Sequence, residues 1–133
     1  MLDPFGRELP PAQPDGYLIN YLESAAIAVK DDTIMLIKKP DQKLYLPTVL
    51  VRNKEDPIDA ALRGVTENGG KATDAISYDV IGDPKRKPLG CYICCVYLMK
   101  GIDGPFIAKD YVKGHMDSIA TEHIPILKKY MGL

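Results

Sequence analysis

Two groups of charged residues have the types and spacing that could act on a charged ligand. In the first, Arg63 and Glu67 lie four residues apart, so they share one face of a helix, and Glu55 stands before that segment. In the second, Lys85-Arg86-Lys87 forms a compact basic run whose side chains could pair with phosphate oxygens. Each group also has a plainer interpretation. The first could be a surface ion pair with a solvated charge near a helix start, and the second a solvated turn.

The segment that carries the first group has the signals of a helix at both ends. Asp56 is a typical N-cap residue, Pro57 suits the first helical position, and Asp59 could close a pair that resembles a capping box. The Asn-Gly-Gly run at residues 68–70 is a strong C-terminal stop. We therefore expect one helix between these signals.

An apolar stripe predicts which side of this helix packs in the core. Arg63, Gly64, Glu67 and Asn68 are expected on the other side. Gly64 is anomalous there, because glycine inside a helix costs about 1 kcal/mol relative to alanine. Replacing Gly64 by glutamate should therefore recover helix propensity. The stripe follows the spacing i, i+3, i+4, i+7 and consists of Ile58, Ala61, Leu62 and Val65.

The rest of the chain is predicted to be mainly strands, followed by a last helix. The strand over residues 91–100 is apolar on both faces, which indicates a central position in a covered sheet. The last helix should run from about Asp117 to Tyr130, with Pro125 kinking or delaying it. Strands on both sides of a middle helix predict an α/β fold with a mixed sheet between helices. The other predicted strands are a hairpin of residues 24–29 and 33–39, a stretch at 43–51 broken by Pro47, and residues 74–82, which a loop carrying Lys85-Arg86-Lys87 joins to 91–100.

Three cysteines close together in that central strand suggest a metal site, but strand geometry argues against it. Cys94 would point away from Cys91 and Cys95, and those two would lie about 13 Å apart. That separation is too large for a shared zinc ion with bonds of about 2.3 Å. The cysteines are better interpreted as small buried hydrophobic residues. His115 and His123 show no pattern of partners, and we assign them no role.

Length and composition indicate one globular domain. The 133 residues are divided into a proline-rich N-terminal arm at residues 1–20 and a single domain at residues 21–133. The net charge of −1 indicates neither nucleic acid nor an anionic membrane as a partner, and no apolar run approaches the roughly 20 residues of a membrane span. The N-terminal residues do not have the pattern of a secretory signal, so we expect a cytoplasmic protein.

The stretch at residues 46–71 resembles the box of the Nudix family, G-x5-E-x7-R-E-U-x-E-E-x-G-U, in which U is a bulky aliphatic residue. The box usually follows a Leu-Pro dipeptide, and here it follows Leu46-Pro47 without a gap. Val49 stands in place of the first glycine, Gly64 and Asn68 in place of glutamates, and Lys71 in place of the final aliphatic residue. The matching residues are Glu55, Arg63, Val65, Glu67 and Gly70.

The resemblance implies an α/β/α sandwich with a mixed β-sheet. In the family, glutamates of the helix bind Mg²⁺ and help to activate water for attack on a phosphoanhydride. Glycine and asparagine at positions 64 and 68 remove two of these carboxylates, so we expect weak or absent Mg²⁺ binding, with Glu67 and Glu55 as the remaining metal ligands. Arg63 and Glu67 are the catalytic candidates if the protein is active. The candidate ligand-binding residues are Arg63, Lys85, Arg86 and Lys87.

Three functions remain open on this basis. The first is a Nudix-like protein with an impaired helix that binds a nucleotide-type phosphate ligand or a partner protein with little or no hydrolysis. The second is an atypical Mg²⁺-dependent hydrolase of nucleoside diphosphate derivatives. The third is a structural subunit of a larger assembly, and by analogy with the family a homodimer is also expected. For the second function, the acids available outside the box in the last third of the chain are Asp103, Asp110, Asp117 and Glu122.

Overall fold

A computed structural model describes the backbone of residues 20–87 and 90–133 and the side chains of residues 22–82 and 93–133. The helices are α1 (Pro57–Glu67), α2 (Lys109–Gly114) and α3 (Ile124–Met131), with 3₁₀ turns at Met116–Ser118 and Thr121–His123. None of these described helices is long and apolar enough to cross a membrane. The strands are β1 (Asn20–Lys30), β2 (Thr33–Met35), β3 (Ile37–Lys38), β4 (Leu44–Tyr45), β5 (Thr48–Leu50), β6 (Lys71–Lys87), β7 (Gly90–Asp103) and β8 (Phe106–Ala108).

The main sheet is mixed, as predicted. Its strand order is β6-β7-β1-β2-β8, and β5 also pairs with β1. Strands β1 and β7 run parallel, whereas the other pairs are antiparallel. The apolar strand β7 lies between β6 and β1, which confirms its predicted central position. The predicted hairpin is formed by β1 and β2, and β3 and β4 form a separate two-stranded sheet.

Alternate residues of β1 face two different cores. Ala26 and Ala28 pack with Ala61 and Val65 of α1 on one face of the sheet. On the other face, Ala25 and Ile27 belong to a core that includes Ile126 and Leu127 of α3. The alternation follows from strand geometry, in which successive side chains point to opposite faces. Helices on both faces make the fold an α/β/α sandwich, in agreement with the prediction.

Three elements differ from the sequence predictions. The stretch around Lys85-Arg86-Lys87 was expected to be a loop, but its backbone continues β6, because pairing with β7 extends to Lys87 and Gly90. The last helix begins at Ile124 rather than near Asp117, with Pro125 in its first turn, where a missing N–H leaves no hydrogen bond unmade. Helix α2 was not predicted at all, and its six residues are too few for a clear apolar period.

Candidate functional site

Helix α1 lies where the sequence predicts it, but its start is held differently. Asp56 precedes the helix in an extended conformation and makes no side-chain cap hydrogen bond, so the predicted pair with Asp59 is not formed. Both carboxylates are exposed to solvent. Instead, the hydroxyl of Ser24 on β1 donates to the carbonyl of Pro57 at 2.7 Å. The helix ends at Glu67, and Gly69, the residue after the Asn68 cap, has a positive φ of 79° that suits glycine.

Arg63 is the centre of an ion-pair network that ties α1 to the segment before it. Its Nε donates to Glu55 Oε2 at 2.9 Å, and its Nη2 donates to Glu55 Oε1 at 3.0 Å. Its Nη1 donates to Glu67 Oε1 at 3.1 Å, and Nη2 also donates to the carbonyl of Leu50 at 2.8 Å. The guanidinium therefore joins both glutamates of the predicted site to the end of β5.

The network strongly favours the charged form of Glu55. The Arg63 guanidinium, with a smaller contribution from the backbone N–H of Arg52, lowers the pKa of Glu55 from 4.5 to about 2. In turn, the hydrogen bond to Glu55 and the weaker one to Glu67 raise the pKa of Arg63. Both oxygens of Glu55 are occupied by donors, since Oε1 also accepts the N–H of Arg52 at 3.0 Å. Three N–H donors, two from Arg63 and one from the Arg52 backbone, therefore hold the Glu55 carboxylate in place.

Gly64 does not lie on an exposed face, contrary to the prediction from the apolar stripe. It is buried, because β5 crosses the helix at this point and Val49 packs over it. A Cβ atom on Gly64 would lie 3.2 Å from Val49 Cγ1 and 3.6 Å from Cγ2. The absence of a side chain at position 64 thus makes room for valine at position 49. Two departures from the box are in direct contact.

Asn68 also contacts Gly64. Its side-chain Nδ2 donates to the Gly64 carbonyl at 2.7 Å. The carbonyls of a helix's last turn have no backbone partner further along the helix, so this bond satisfies one of them. A glutamate at position 68 would have no N–H to donate. Asn68 is therefore a capping residue for the end of α1.

A pocket of about 220 Å³ lies beside β5. Thr48 and Leu50 line it, and their side chains point away from α1 because they alternate along β5 with Val49, which packs against Gly64 of that helix. Glu23 is only 3% exposed despite being a carboxylate. Glu122, from the 3₁₀ turn before α3, faces the same space. The remaining lining residues are Lys39, Tyr45, Val49 and His123.

The His123 ring connects the residues on one side of this pocket by hydrogen bonds. The backbone N–H of Leu46 donates to its Nδ1 at 2.9 Å, so the ring proton lies on Nε2. Nε2 is 3.4 Å from the hydroxyl oxygen of Thr48, and that hydroxyl donates to the Leu46 carbonyl at 2.9 Å. His123 is 2% exposed and packs edge-on against Tyr45. A residue to which the sequence assigned no role therefore holds β4 and β5 against the turn before α3.

Two charged side chains hold Tyr45, the tyrosine that lines the pocket. The hydroxyl of Tyr45 donates to the Asp41 carboxylate, which raises the pKa of Tyr45 to about 12. The ammonium group of Lys39 lies 4.3 Å from the centre of the Tyr45 ring, a cation–π distance. Asp41 at the hydroxyl and Lys39 over one face of the ring thus fix the orientation of Tyr45.

The structure brings together only some of the residues predicted to form the site. Arg63, Glu55 and Glu67 meet in one network, and Glu122 alone of the predicted acids lines the pocket. The side chains of Lys85-Arg86-Lys87 lie outside the described residues. Asp103, Asp110 and Asp117 are exposed and do not line that pocket.

Sequence reasoning missed Glu23 and His123. Glu23 directly precedes the apolar run at residues 24–29, and the period of two along β1 places it on the same face as Ala25 and Ile27. Extending that period by one residue would have shown a carboxylate facing the core. The surroundings of His123 contain no comparable signal.

Comparison with solved structures decides the fold. No family model matches the sequence, and no curated protein matches it significantly. A NUDIX hydrolase from Nitrosomonas europaea superimposes with a TM-score of 0.72 at 14% identity, over 84% of this chain and 87% of that one. The mutator MutT protein from Bacillus halodurans gives a TM-score of 0.62 at 17% identity, over 81% and 80% of the two chains. This chain has the Nudix fold.

A third similar structure is larger and carries ligands. It is a bifunctional NMN adenylyltransferase/ADP ribose pyrophosphatase from Francisella tularensis, complexed with AMP and a manganese ion. It gives a TM-score of 0.70 at 16% identity, and this chain covers 42% of its length. The comparisons thus confirm the predicted resemblance at the level of the fold.

The donor set on α1 does not fit the clustered metal site that the Nudix fold implies. Among residues 63–68, Glu67 is the one carboxylate, and its Oε1 accepts from Arg63. Glu55 is held on both oxygens, and positions 64 and 68 offer no carboxylate. No group of three or more histidine, cysteine, aspartate or glutamate side chains within residues 22–82 and 93–133 is arranged to hold a metal ion.

Proposed function

We propose that this chain is a binding protein with the Nudix fold, which takes a nucleotide-type ligand and hydrolyses it little or not at all. The observation that carries the proposal is that Val49 packs against Gly64, while the side chain of Asn68 donates a hydrogen bond to the Gly64 carbonyl. These residues occupy the positions where the Nudix box has a glycine and two glutamates. Metal-assisted attack on a phosphoanhydride needs charge neutralisation by a bound cation. In this chain the residues at positions 64 and 68 make packing and capping contacts, and neither has a carboxylate that could bind such a cation.

The pocket supports binding of one part of a nucleotide. Its volume of about 220 Å³ is smaller than the roughly 300–1,000 Å³ of pockets that take drug-sized ligands, so it fits a single ring system rather than a whole nucleotide. The carboxylates of Glu23 and Glu122 can accept hydrogen bonds from the amino and imino N–H groups of a base. Lys39 lines the same pocket and can pair with a phosphate oxygen.

The proposal is tested by measuring binding and turnover separately. Nucleoside triphosphates, ADP-ribose and dinucleoside polyphosphates are offered with Mg²⁺ or Mn²⁺, and binding is measured by calorimetry with and without the metal. We expect binding that does not depend on the metal and turnover far below the roughly 10 s⁻¹ of a typical enzyme. Glu23→Gln should weaken binding, whereas Asp110→Asn, an exposed acid away from the pocket, should not. Turnover near the typical rate would refute the proposal.

One observation favours a second candidate, an atypical hydrolase. Glu23 and Glu122 are carboxylates outside the box that line one pocket, so they could supply what α1 has lost. In that case Glu23→Gln would abolish metal-dependent turnover, and Glu67→Gln would leave most of it. The same assays therefore separate the two candidates, since the binding protein shows little or no turnover in any of these variants.

A further inference from the structure

We propose that Val49, Gly64 and Asn68 form one coupled set, in which Val49 is the residue that closes α1 to a divalent metal. The inference rests on the proposed function, in which α1 has lost its metal chemistry. It adds that the loss does not reside in the missing carboxylates alone. Restoring acids at positions 64 and 68 should fail for as long as valine occupies position 49.

The spacing between β5 and α1 is fixed on both sides of the Val49–Gly64 contact. Val49 pairs with Ser24 of β1, and the Ser24 hydroxyl holds the carbonyl of Pro57 at the helix start. On the other side, Arg63 donates to the carbonyl of Leu50, the residue after Val49. Because α1 is tied to β1 at its start and to β5 through Arg63, it cannot move away from Val49 without breaking one of these bonds.

Val49 itself has little freedom to give way. A valine side chain branches at Cβ, which restricts χ1, and both of its γ-methyl groups lie within 3.6 Å of a Cβ built on Gly64. Rotating one methyl group away would bring the other toward the same space. A side chain longer than alanine at position 64 would therefore begin in a crowded position, and a carboxylate there would not be free to adopt a metal-binding rotamer.

Asn68 couples to the same point through the backbone. Its Nδ2 holds the Gly64 carbonyl at 2.7 Å, and glutamate in its place could not donate that bond. An acid at position 68 would therefore unsettle the last turn of α1 at the same time as it adds charge. Glutamate at position 64 would therefore crowd Val49, and glutamate at position 68 would remove the hydrogen bond to the Gly64 carbonyl.

The test is Mn²⁺ binding to the full-length protein, measured by loss of the free-ion signal in electron paramagnetic resonance. Three proteins are compared: the unmodified chain, the double variant Gly64→Glu/Asn68→Glu, and the triple variant that adds Val49→Gly. We expect the triple variant to bind Mn²⁺ at least tenfold more tightly than the double variant. A second triple variant with Leu50→Gly in place of Val49→Gly is the matched control, because Leu50 is the next residue of β5 and is 42% exposed. This control should bind no better than the double variant.

The outcomes separate this inference from the proposed function. If the double variant binds Mn²⁺ as tightly as the triple variant, or if the folded triple variant does not bind, the coupling is refuted and the proposed function stands. If the unmodified chain binds Mn²⁺ tightly and Glu67→Gln removes that binding, both are refuted. If Val49→Gly prevents folding, as judged by circular dichroism, Val49→Ala replaces it in the triple variant. Tighter Mn²⁺ binding than in the double variant would then support the coupling, and equal or absent binding would refute it.

Discussion

Replacing Gly64 by alanine should not stabilise this protein, although helix propensity alone predicts that it would. Alanine is favoured over glycine inside a helix by about 1 kcal/mol. Here the new Cβ would lie 3.2 Å from Val49 Cγ1, closer than an ordinary van der Waals contact. Adding a methyl group to a well-packed site costs about 1–3 kcal/mol through the shifts that it forces. The sum places Gly64→Ala between no change and a loss of about 2 kcal/mol.

Removing the Val49 side chain allows the effect of helix propensity on the free energy of unfolding to be measured by itself. In a Val49→Ala background the γ-methyl groups that crowd position 64 are absent, so Gly64→Ala should stabilise by about 1 kcal/mol. The difference between the two backgrounds is the interaction energy of the pair, and it should be about 1–3 kcal/mol. Gly114→Ala in α2 is the matched control, since a Cβ there has nothing within 4 Å. Its effect should be the same in both backgrounds.

The assay is urea unfolding of all four members of the double-mutant cycle, followed by circular dichroism. Midpoints are compared at constant m, so that a change in free energy is not confused with a change in the unfolded state. If Gly64→Ala stabilises the protein by the same amount with valine and with alanine at position 49, Val49 does not crowd position 64. The reasoning about the coupled set would then be wrong.

Other predictions follow from the ion pair, the buried histidine and the cysteines. Because the pKa of Glu55 is lowered to about 2, its contribution to stability is complete above the ordinary pKa of 4.5 and is lost as the pH falls toward 2. Urea unfolding at several pH values should show this fall and show less of it in Glu55→Gln. His123→Ala should cost about 1–3 kcal/mol in unfolding free energy, because it leaves the N–H of Leu46 without its acceptor, and the same unfolding assay measures the loss. Cys94 is fully buried and burial raises the pKa of the partly exposed Cys95, so both should react slowly with a thiol reagent in the native protein, Cys95 first; rapid reaction of both would contradict this.

Local signals predicted the parts of the fold that local interactions decide. Helix α1 was found because its start and stop residues lie within the segment, and β7 because its alternation is apolar on both faces. The end of β6 was missed for the opposite reason. Residues 83–87 contain proline and three basic residues, and they are extended because they pair with β7, an interaction that composition does not show.

The candidate site was predicted less well, because it depends on contacts between distant residues. The burial of Gly64 is decided by β5, fifteen positions earlier, and the period of α1 alone placed this residue on the exposed side. The pocket joins Glu23 to Glu122 and His123, which lie about a hundred residues further along the chain. No spacing rule connects such residues before the topology of the sheet is known.

The residues that match the Nudix box all have structural contacts in this chain. Glu55 and Glu67 bind Arg63, and Val65 is fully buried in the core beneath α1. Gly70 is packed so closely that a Cβ there would lie 3.0 Å from Val65 Cγ1. Each matching position therefore makes a contact that helps to hold α1 in the fold. Among the departures, Val49 and Asn68 each contact Gly64, and none of the three residues carries a charge. In the function proposed above, these three positions are therefore where the box loses its affinity for a divalent metal.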